Sequence, residues 1–335
     1  MTKAMPSISP DPSISRTDDA SPLISVVIPM YNREWCIADC LASIRGLAHL
    51  PAEVIVVDDG SRDASVEKTR QAIADLGIGA KTRLIVQENG GPGMARNRGA
   101  AEARGEWLVF FDSDDLWMPW TLETLVEQLV GAAPAEEMIF FSIRPFVDPA
   151  ELPATPEAEV RTVRPGDFLT ATRKFPTIRY GSCNVGMRRE AFQRVGGFST
   201  ELRCSEDTDL FLRIGGPTIV LTRPVMAGLR RSGHDSLTGN IPNIVNGFDH
   251  LVKSHAAGVY PGATVDLQAF MSRACAYTIR TSFSSGWPMT AYRLYFSHLA
   301  LLRNGPQKRY VWKLPATPLL HMVDPAGYPF RMRPR

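Results

Sequence analysis

Short apolar runs alternate with amphipathic segments between residues 23 and 142, and this alternation limits the possible folds more than any other feature of the chain. Apolar runs rich in β-branched residues predict buried strands, and apolar residues spaced three or four apart predict helices. Such alternation is typical of a mostly parallel sheet that is covered by helices on both faces. We predict strands at 23–29, 53–57, 83–86, 106–111 and 138–142 and helices at 34–48, 65–76 and 94–103, with Pro119 in the first turn of a further helix.

Three of the predicted strands end in polar clusters. Residues 29–32 (Pro-Met-Tyr-Asn) follow the first strand, residues 58–61 (Asp-Asp-Gly-Ser) follow the second, and residues 112–115 (Asp-Ser-Asp-Asp) follow the fourth. Ligands of open α/β sheets bind beyond the carboxyl ends of the strands. The sequence therefore predicts a ligand site at this edge of the sheet.

The remaining stretches differ in composition from this α/β region. The first 22 residues are rich in Ser, Pro and Asp, so we expect a disordered tail and neither a signal peptide nor a membrane anchor. Residues 148–164 are Pro-rich and acidic, which indicates a loop or linker, and the pattern after Ile241 is largely helical. We divide the chain into a tail (1–22), an α/β domain (23–240) and a helical C-terminal extension (241–335).

Charge and cysteine content narrow the functional classes. The chain has 37 basic and 35 acidic residues, a net charge of +2, whereas a nucleic-acid-binding protein usually has a strong basic excess. The five cysteines include no pair with zinc-ribbon spacing, and small buried side chains in a reducing compartment explain them best. No run of about 18 apolar residues predicts a membrane-spanning helix. We expect a cytoplasmic protein that does not bind nucleic acid.

Asp112 and Asp114 form the strongest candidate site in the sequence. Two carboxylates spaced i, i+2 at the end of a buried strand can reach one ligand, and hard divalent ions such as Mg²⁺ prefer oxygen ligands. Such an ion would neutralise a diphosphate leaving group. The alternative is a solvated acidic turn that caps the following helix.

Two further segments are suited to nucleotide contact. Asp58 and Asp59 close the second strand, where a carboxylate can accept a proton from a base or a ribose hydroxyl, although Asp-Gly is also a common turn. Residues 90–99 form a glycine loop that opens a helix and carries Arg96 and Asn97, but Arg96 stands where a dinucleotide loop has its third glycine. The loop could equally be a plain connection between a strand and a helix.

Glu206 and Asp207 follow Ser205, which is a credible helix N-cap. A carboxylate at a helix start near a metal site can act as a general base, but acidic residues also stabilise helix N-termini without any catalytic role. His234 is the remaining candidate, and a lone histidine is more often structural than a ligand.

Taken in their order along the chain, these motifs resemble those of family 2 glycosyltransferases, which have the Rossmann-like GT-A fold. The resemblance covers about residues 23–240. It comprises Ser25–Arg33 as the opening strand and nucleotide loop, Val54–Ser61 as the second strand, Gly93–Gly99 as the loop and helix that support the nucleotide, Asp112-Ser113-Asp114 as the Asp-x-Asp motif, and Glu206-Asp207 as the Glu-Asp pair. Each motif alone is weak, but five in order are specific.

The resemblance implies a role for each matching residue. It implies that Asp207, next to Glu206, is the catalytic base, and that Asp114, Asp112 and, more loosely, His234 bind Mn²⁺ or Mg²⁺. The residues implied in nucleotide-sugar binding are Pro29, Tyr31, Asn32, Arg33, Asp58, Gly93, Arg96, Asn97, Asp112 and Ser113. Arg33 departs from the family pattern because many members have an acidic residue there. His234 departs because it lacks the usual flanking aromatic residue.

The implied activity is an inverting transfer from a nucleotide diphosphate sugar to an acceptor hydroxyl. Asp58 matches the residue that contacts uracil, so the resemblance implies UDP, and the expected acceptor is a saccharide or a lipid-linked saccharide in bacterial surface polysaccharide or glycolipid synthesis. Three alternatives are a haloacid-dehalogenase-type phosphatase, a nucleotidyltransferase, and a sugar-nucleotide-binding scaffold without catalysis. Aromatic and Arg residues after position 285 could also contact the inner face of an anionic membrane.

Overall fold

The computed structural model describes residues 23–306 except 45, 48, 49, 51 and 231–239, so His234 and the N-terminal tail lie outside the described residues. The strands are β1 Ile24–Met30, β2 Ala52–Asp58, β3 Thr82–Val86, β4 Trp107–Phe110, β5 Leu116–Trp117, β6 Met138–Phe141, β7 Ile143–Phe146, β8 Arg161–Asp167, β9 Val185–Arg188, β10 Pro217–Arg223 and β11 Ala227–Arg230. The helices are α1 Ile37–Ser43, α2 Ser65–Asp75, α3 Pro92–Glu102, α4 Thr121–Val130, α5 Phe168–Lys174, α6 Arg189–Arg194, α7 Glu206–Ile214, α8 Ile241–Ala256, α9 Thr264–Ser284, α10 Pro288–Ser297 and α11 Leu299–Asn304.

An eight-stranded sheet with the order β3-β2-β1-β4-β9-β6-β10-β8 forms the centre of the molecule. β1 pairs in parallel with β2 and β4, and six of the eight strands run in one direction. β9 and β8 run the other way. This arrangement confirms the predicted mostly parallel sheet flanked by helices.

Both faces of this sheet are buried because successive side chains of a strand point to opposite sides. Val26 and Ile28 of β1 belong to one hydrophobic core, whereas Val27 belongs to the core on the other face. Helix α3 lies so close to the sheet that a Cβ on Gly99 would come within 2.4 Å of Val27 Cγ1, so only glycine fits there. The continuous apolar runs in the sequence are the consequence of this double burial.

The helices after Ile241 form a layer with a core of its own. Buried residues of α8, α9, α10 and α11 form this third cluster, which includes Phe248, Ile279, Leu294 and Leu302. Leu251, Leu267 and Met271 of α8 and α9 instead join one core of the central sheet. The C-terminal layer is therefore packed directly on the α/β region.

Several predictions differ from the structure, and Pro119 lies before α4 rather than in its first turn, because α4 begins at Thr121 with Trp120 as its N-cap. The helix predicted at 34–48 spans only Ile37–Ser43, and the stretch 148–164, predicted as a loop or linker, contains the start of β8 at Arg161. β8 is an edge strand, paired only with β10 within the described sheet, and an edge strand tolerates Pro165. Along the described residues, no helix combines the length and apolarity that crossing a membrane requires.

Candidate functional site

The carboxyl ends of β1, β2 and β4 lie side by side, as the strand pairing requires, and bring the three polar clusters to one edge of the sheet. Asp58 ends β2 and is only 1% exposed. Its Oδ2 accepts a hydrogen bond from the Ser61 backbone N–H at 3.1 Å, whereas its buried Oδ1 has no hydrogen-bond partner among the described residues. A buried oxygen without a donor is costly, so this atom is a suitable acceptor for a ligand N–H.

Asp59, unlike Asp58, uses both carboxylate oxygens in hydrogen bonds to the backbone of another loop. Its Oδ1 accepts from the Gly90 backbone N–H at 2.8 Å and its Oδ2 accepts from the Gly91 backbone N–H at 2.7 Å. Asp59 therefore fixes the loop that leads into α3.

Asn32 shapes the loop after β1. Its φ of 52° is in the left-handed region, which asparagine tolerates better than most residues. Ser61 Oγ accepts from the Asn32 backbone N–H, and Asn32 Oδ1 accepts from the Arg62 backbone N–H, both at 2.9 Å. These bonds join the loops after β1 and β2, beside the half-buried Pro29 and the exposed Tyr31.

The acidic cluster after β4 is paired with arginines. Arg96 Nη2 lies 2.8 Å from Asp112 Oδ1, and Arg33 Nε lies 3.5 Å from Asp114 Oδ2. Burial and the neighbouring Asp112 raise the pKa of the carboxyls of Asp114 and Asp115. Crowded carboxyls of this kind are the type of oxygen donor that suits a hard divalent cation.

Cys183 lies next to the acidic cluster. Ligand atoms of Asp112, Asp115 and Cys183 lie within 4.8 Å of one another, so this trio could also hold an ion. Burial raises the pKa of the Cys183 thiol well above its usual range, which disfavours the thiolate. The carboxylates fit a hard cation better than this thiol does. Sequence reasoning missed Asp115 and Cys183, although Asp115 stands within the acidic run.

Arg96 connects the acidic cluster with the second acidic pair. Its Nη1 lies 3.1 Å from Glu206 Oε1 while its Nη2 contacts Asp112, and the side chain is only 5% exposed. The guanidinium also lies over the Phe198 ring, 5.4 Å from the centroid. Asp112 and Glu206, which are 94 positions apart in the sequence, are thus held by one buried cation.

The predicted binding residues Gly93 and Asn97 lie where α3 packs on the segment before α7. Asn97 Nδ2 donates to the Phe198 carbonyl at 2.8 Å, and its Oδ1 accepts from the Phe198 N–H at 2.9 Å. A Cβ on Gly93 would lie 3.0 Å from the Ser199 carbonyl oxygen. The side-chain amide of Asn97 is therefore used within the protein, and its role in nucleotide binding stays a prediction.

Glu206 and Asp207 occupy the first turn of α7. Burial and the adjacent Asp207 raise the pKa of Glu206 to about 7, and burial raises the pKa of Asp207 as well. Asp207 Oδ1 accepts from the Thr208 N–H at 2.6 Å, and its Oδ2 lies 3.7 Å from where a Cβ on Gly181 would be. A carboxylate with a raised pKa is suited to accepting a proton near neutral pH.

Helix α7 is anchored by contacts of the buried Asp209 that sequence reasoning missed. Asp209 is only 2% exposed, and its carboxylate contacts Arg213 Nη2 at 2.7 Å, Tyr260 Oη at 2.8 Å and His250 Nε2 at 3.2 Å. The i, i+4 spacing of Asp209 and Arg213 is a signal that the sequence did contain. The contacts with His250 and Tyr260 join α7 to the C-terminal layer and leave no local pattern.

This fold and its acidic edge define the class of glycosyltransferases with the GT-A fold. The model of the family described as Glycosyl transferase family 2 matches residues 25–196, about half of the chain, and the chain belongs to that family. This confirms the family and the fold that the motifs predicted. Membership also argues against the phosphatase and nucleotidyltransferase alternatives.

Relatives and solved structures agree with this assignment. An uncharacterized glycosyltransferase of Haemophilus influenzae is 28% identical over 195 residues, which cover 57% of this chain and 62% of the relative. The chain spans between 31% and 62% of the length of the first three curated relatives. The structure of S. aureus TarS 1-349 in complex with UDP-GlcNAc has a TM-score of 0.63 at 18% identity and covers 90% of this chain and 86% of that one.

A second solved structure has the same fold. The mannosyltransferase PcManGT from Pyrobaculum calidifontis, in complex with GDP-Man and Mn²⁺, has a TM-score of 0.55 at 18% identity and covers 94% of this chain and 91% of that one. At these identities the likeness concerns the fold alone. It includes the C-terminal helices, because the overlap reaches beyond the region that the family model matches.

Proposed function

We propose that this protein is an inverting glycosyltransferase that moves a sugar from a UDP-sugar to an acceptor hydroxyl. The observation that carries the proposal is the Arg96 bridge, which places the acidic cluster and the Glu206–Asp207 pair on the same buried cation. A donor bound at the sheet edge would then have its diphosphate beside Asp112 and its anomeric carbon facing the base.

The nucleotide is proposed to bind at the loops after β1 and β2. The unpartnered Oδ1 of Asp58 would accept the imide N–H of uracil, a group that guanine also presents in a larger ring. Tyr31, Asn32 and Arg33 would line the same loop. A TarS structure holds UDP-GlcNAc and the PcManGT structure holds GDP-Man, so the two neighbours bind different nucleotides. UDP is preferred here because of the match at Asp58.

Asp112 and Asp114 are proposed to hold a divalent cation, Mn²⁺ or Mg²⁺, with Asp115 next to them. The cation would supply positive charge to the departing diphosphate. Arg96 and Arg33, which pair with Asp112 and Asp114, would add positive charge on the same side of the site. Arg33 replaces the acidic residue common in the family, so it would contact the diphosphate side of the donor.

Asp207 is proposed as the base of a single displacement. The acceptor oxygen would lose its proton to Asp207 and form a bond with the anomeric carbon, while the bond from that carbon to the diphosphate oxygen breaks. Attack from the face opposite the diphosphate inverts the anomeric configuration. Glu206, held by Arg96, would keep its carboxylate away from the acceptor and leave Asp207 as the free base.

The acceptor is proposed to be a saccharide or a lipid-linked saccharide of a bacterial cell surface, used at the cytoplasmic side. Peripheral membrane contact through α10 is part of this proposal, since Trp287, Met289 and Phe296 are 46%, 79% and 67% exposed. Co-sedimentation with phosphatidylglycerol vesicles tests the membrane contact, with phosphatidylcholine vesicles as the uncharged control. Equal recovery with and without vesicles would refute it.

A thermal-shift screen with UDP, GDP and dTDP, each with Mn²⁺ and with EDTA, tests the donor and the cation together. A ligand that binds only the folded protein raises the unfolding midpoint by mass action. We expect UDP with Mn²⁺ to give the largest shift, and Asp58→Asn to remove most of it. Stabilisation by GDP or dTDP instead of UDP would show that the donor carries that nucleotide. No shift with any nucleotide would refute the proposed activity and favour a non-catalytic scaffold.

A further inference from the structure

A small apolar pocket lies between α8, α9 and the start of α7. Its volume is about 170 Å³. Apolar and aromatic side chains form most of its wall: Ile244, Phe248, Leu251, Phe270, Ala274 and Tyr277. We propose that this pocket is an acceptor subsite that binds an uncharged apolar group attached next to the reacting hydroxyl. The proposal rests on the transferase activity proposed above.

The wall of the pocket indicates what it can bind. None of the residues that line it is Asp, Glu, Lys, Arg or His. Burial also raises the pKa of the Cys204 thiol in the wall, so this group stays neutral. A phosphate or a charged sugar would lose its hydration in this pocket without gaining a partner. The occupant is therefore uncharged.

The volume of the pocket limits the size of the group that it can bind. A dry cavity of about 150 Å³ lined by Leu, Ile and Phe is large enough for benzene, and this pocket is of similar size. It is too small for a whole sugar nucleotide or a long lipid chain. One aromatic ring or the first few carbons of an alkyl or prenyl group would fill it.

Position connects the pocket to the reaction. Ser205 and Thr208 belong to its wall, and Thr208 is the residue after the proposed base. Thr208 Oγ1 also donates a hydrogen bond to Asp207 Oδ1 at 3.3 Å. A group bound against Thr208 is therefore separated from the Asp207 carboxylate by one side chain. The occupant is for this reason the non-sugar portion of the acceptor rather than an unrelated ligand.

The mouth of the pocket is open to an acceptor. Tyr277 is 55% exposed and Phe270 is half-buried, and both line the outer side. Aromatic side chains in this position can stack on a ring or an alkyl chain that enters from solvent. Phe248 of the pocket wall also belongs to the third hydrophobic cluster, so this side of the pocket is part of a packed core.

Ligand-observed NMR and calorimetry with phenyl β-D-glucopyranoside and methyl β-D-glucopyranoside test the proposal. The two probes share the sugar and differ only in the apolar group. We expect the phenyl glycoside to bind at least about tenfold more tightly, because burial of the ring removes its apolar surface from water. Ala274→Phe fills the pocket and should abolish this difference. Val265→Phe introduces the same side chain at a 75% exposed site of α9 and should preserve the difference.

Tyr277→Ala provides a second variant at an exposed position, where misfolding is not expected, and should weaken the phenyl glycoside only. Equal affinity for both probes, or phenyl binding that survives Ala274→Phe, would overturn the subsite. The UDP thermal shift is measured on the same samples. A normal UDP shift without selective phenyl binding refutes the subsite alone. Selective phenyl binding without any nucleotide shift refutes the proposed activity and leaves an apolar site without an acceptor role.

Discussion

Two parts of the proposed site are built in different ways. The donor edge comprises the loops after β1, β2 and β4, and the base-bearing helix is α7, which carries Asp207. At the edge of the sheet where the donor is proposed to bind, backbone N–H groups of the loops after β2 and β3 donate to the side chains of Asn32, Asp58 and Asp59. Helix α7 instead depends on side chains from distant parts of the chain, with the buried Arg96 on one side and the half-buried His250 and buried Tyr260 on the other. Strand pairing positions the donor edge, whereas side-chain packing positions the base. Distant substitutions should therefore disturb transfer more readily than nucleotide binding.

The largest expected effect is that of Asp207→Asn. This substitution keeps the shape of the side chain and removes the proton acceptor, so we expect kcat to fall by about 10²–10⁴ while UDP binding is unchanged. Asp75→Asn makes the same change at an exposed position of α2 and is the matched control, which should keep the wild-type kcat. Turnover by Asp207→Asn at the wild-type rate would remove the catalytic assignment.

Arg96→Leu should disturb both regions because it removes their shared cation. Asp112 and Glu206 would then be left without their partner, and breaking a buried ion pair in this way costs about 3–5 kcal/mol. Urea unfolding measures the loss of stability, and UDP calorimetry on the folded fraction measures the loss at the donor edge. Arg98→Leu, on the exposed face of the same helix, should change stability by less than about 1 kcal/mol. Similar effects of both substitutions would contradict the bridge.

Gly247→Ala addresses the base-bearing helix alone. A Cβ at this position would lie 2.5 Å from the Cys204 carbonyl oxygen and 2.9 Å from Ser205 Oγ, so α8 must shift away from the start of α7. We expect a loss of about 1–3 kcal/mol in stability and a clear fall in kcat, with an unchanged Kd for UDP. Asn246→Ala, at an exposed position of α8, is the control. Weaker UDP binding without a change in kcat would show that this contact supports the donor edge rather than the base-bearing helix.

The smallest expected effect concerns pH. The pKa of Glu206 is raised to about 7 in the folded protein, above its ordinary value, so the folded state holds a proton that the unfolded state has already released. Stability should therefore decrease as pH rises from about 4.5 to about 7, by about 1–3 kcal/mol from this group. Glu206→Gln should flatten that part of the curve in thermal unfolding between pH 5 and pH 8. An identical slope in wild type and variant would show that another group is responsible.

The same contrast explains which features could be predicted from the sequence. Strands β1 to β4 and β6, the acidic edge and the turn at Asp58 are encoded within a few consecutive residues, so their patterns predicted them, whereas β5, β7, β9, β10 and β11 were not predicted. β8 was missed because an edge strand with Pro165 lacks the alternating pattern of a strand. The roles of Arg96, Asp209 and Tyr260 depend on contacts between residues that are 51 or 110 positions apart, and such contacts leave no local signal.

Ser205 and Gly247 together restrict how the C-terminal layer can change during evolution. Ser205 has a φ of 66°, a left-handed conformation that costs about 1–2 kcal/mol for a residue with a side chain. The backbone of α8 approaches this turn so closely that Gly247 has no room for a side chain. Ser205→Gly should be tolerated, but it leaves the Cys204 carbonyl in place and does not free position 247. Surface positions of α7 and α8 can therefore vary, whereas the contact of Gly247 with Cys204 and Ser205 permits almost no substitution.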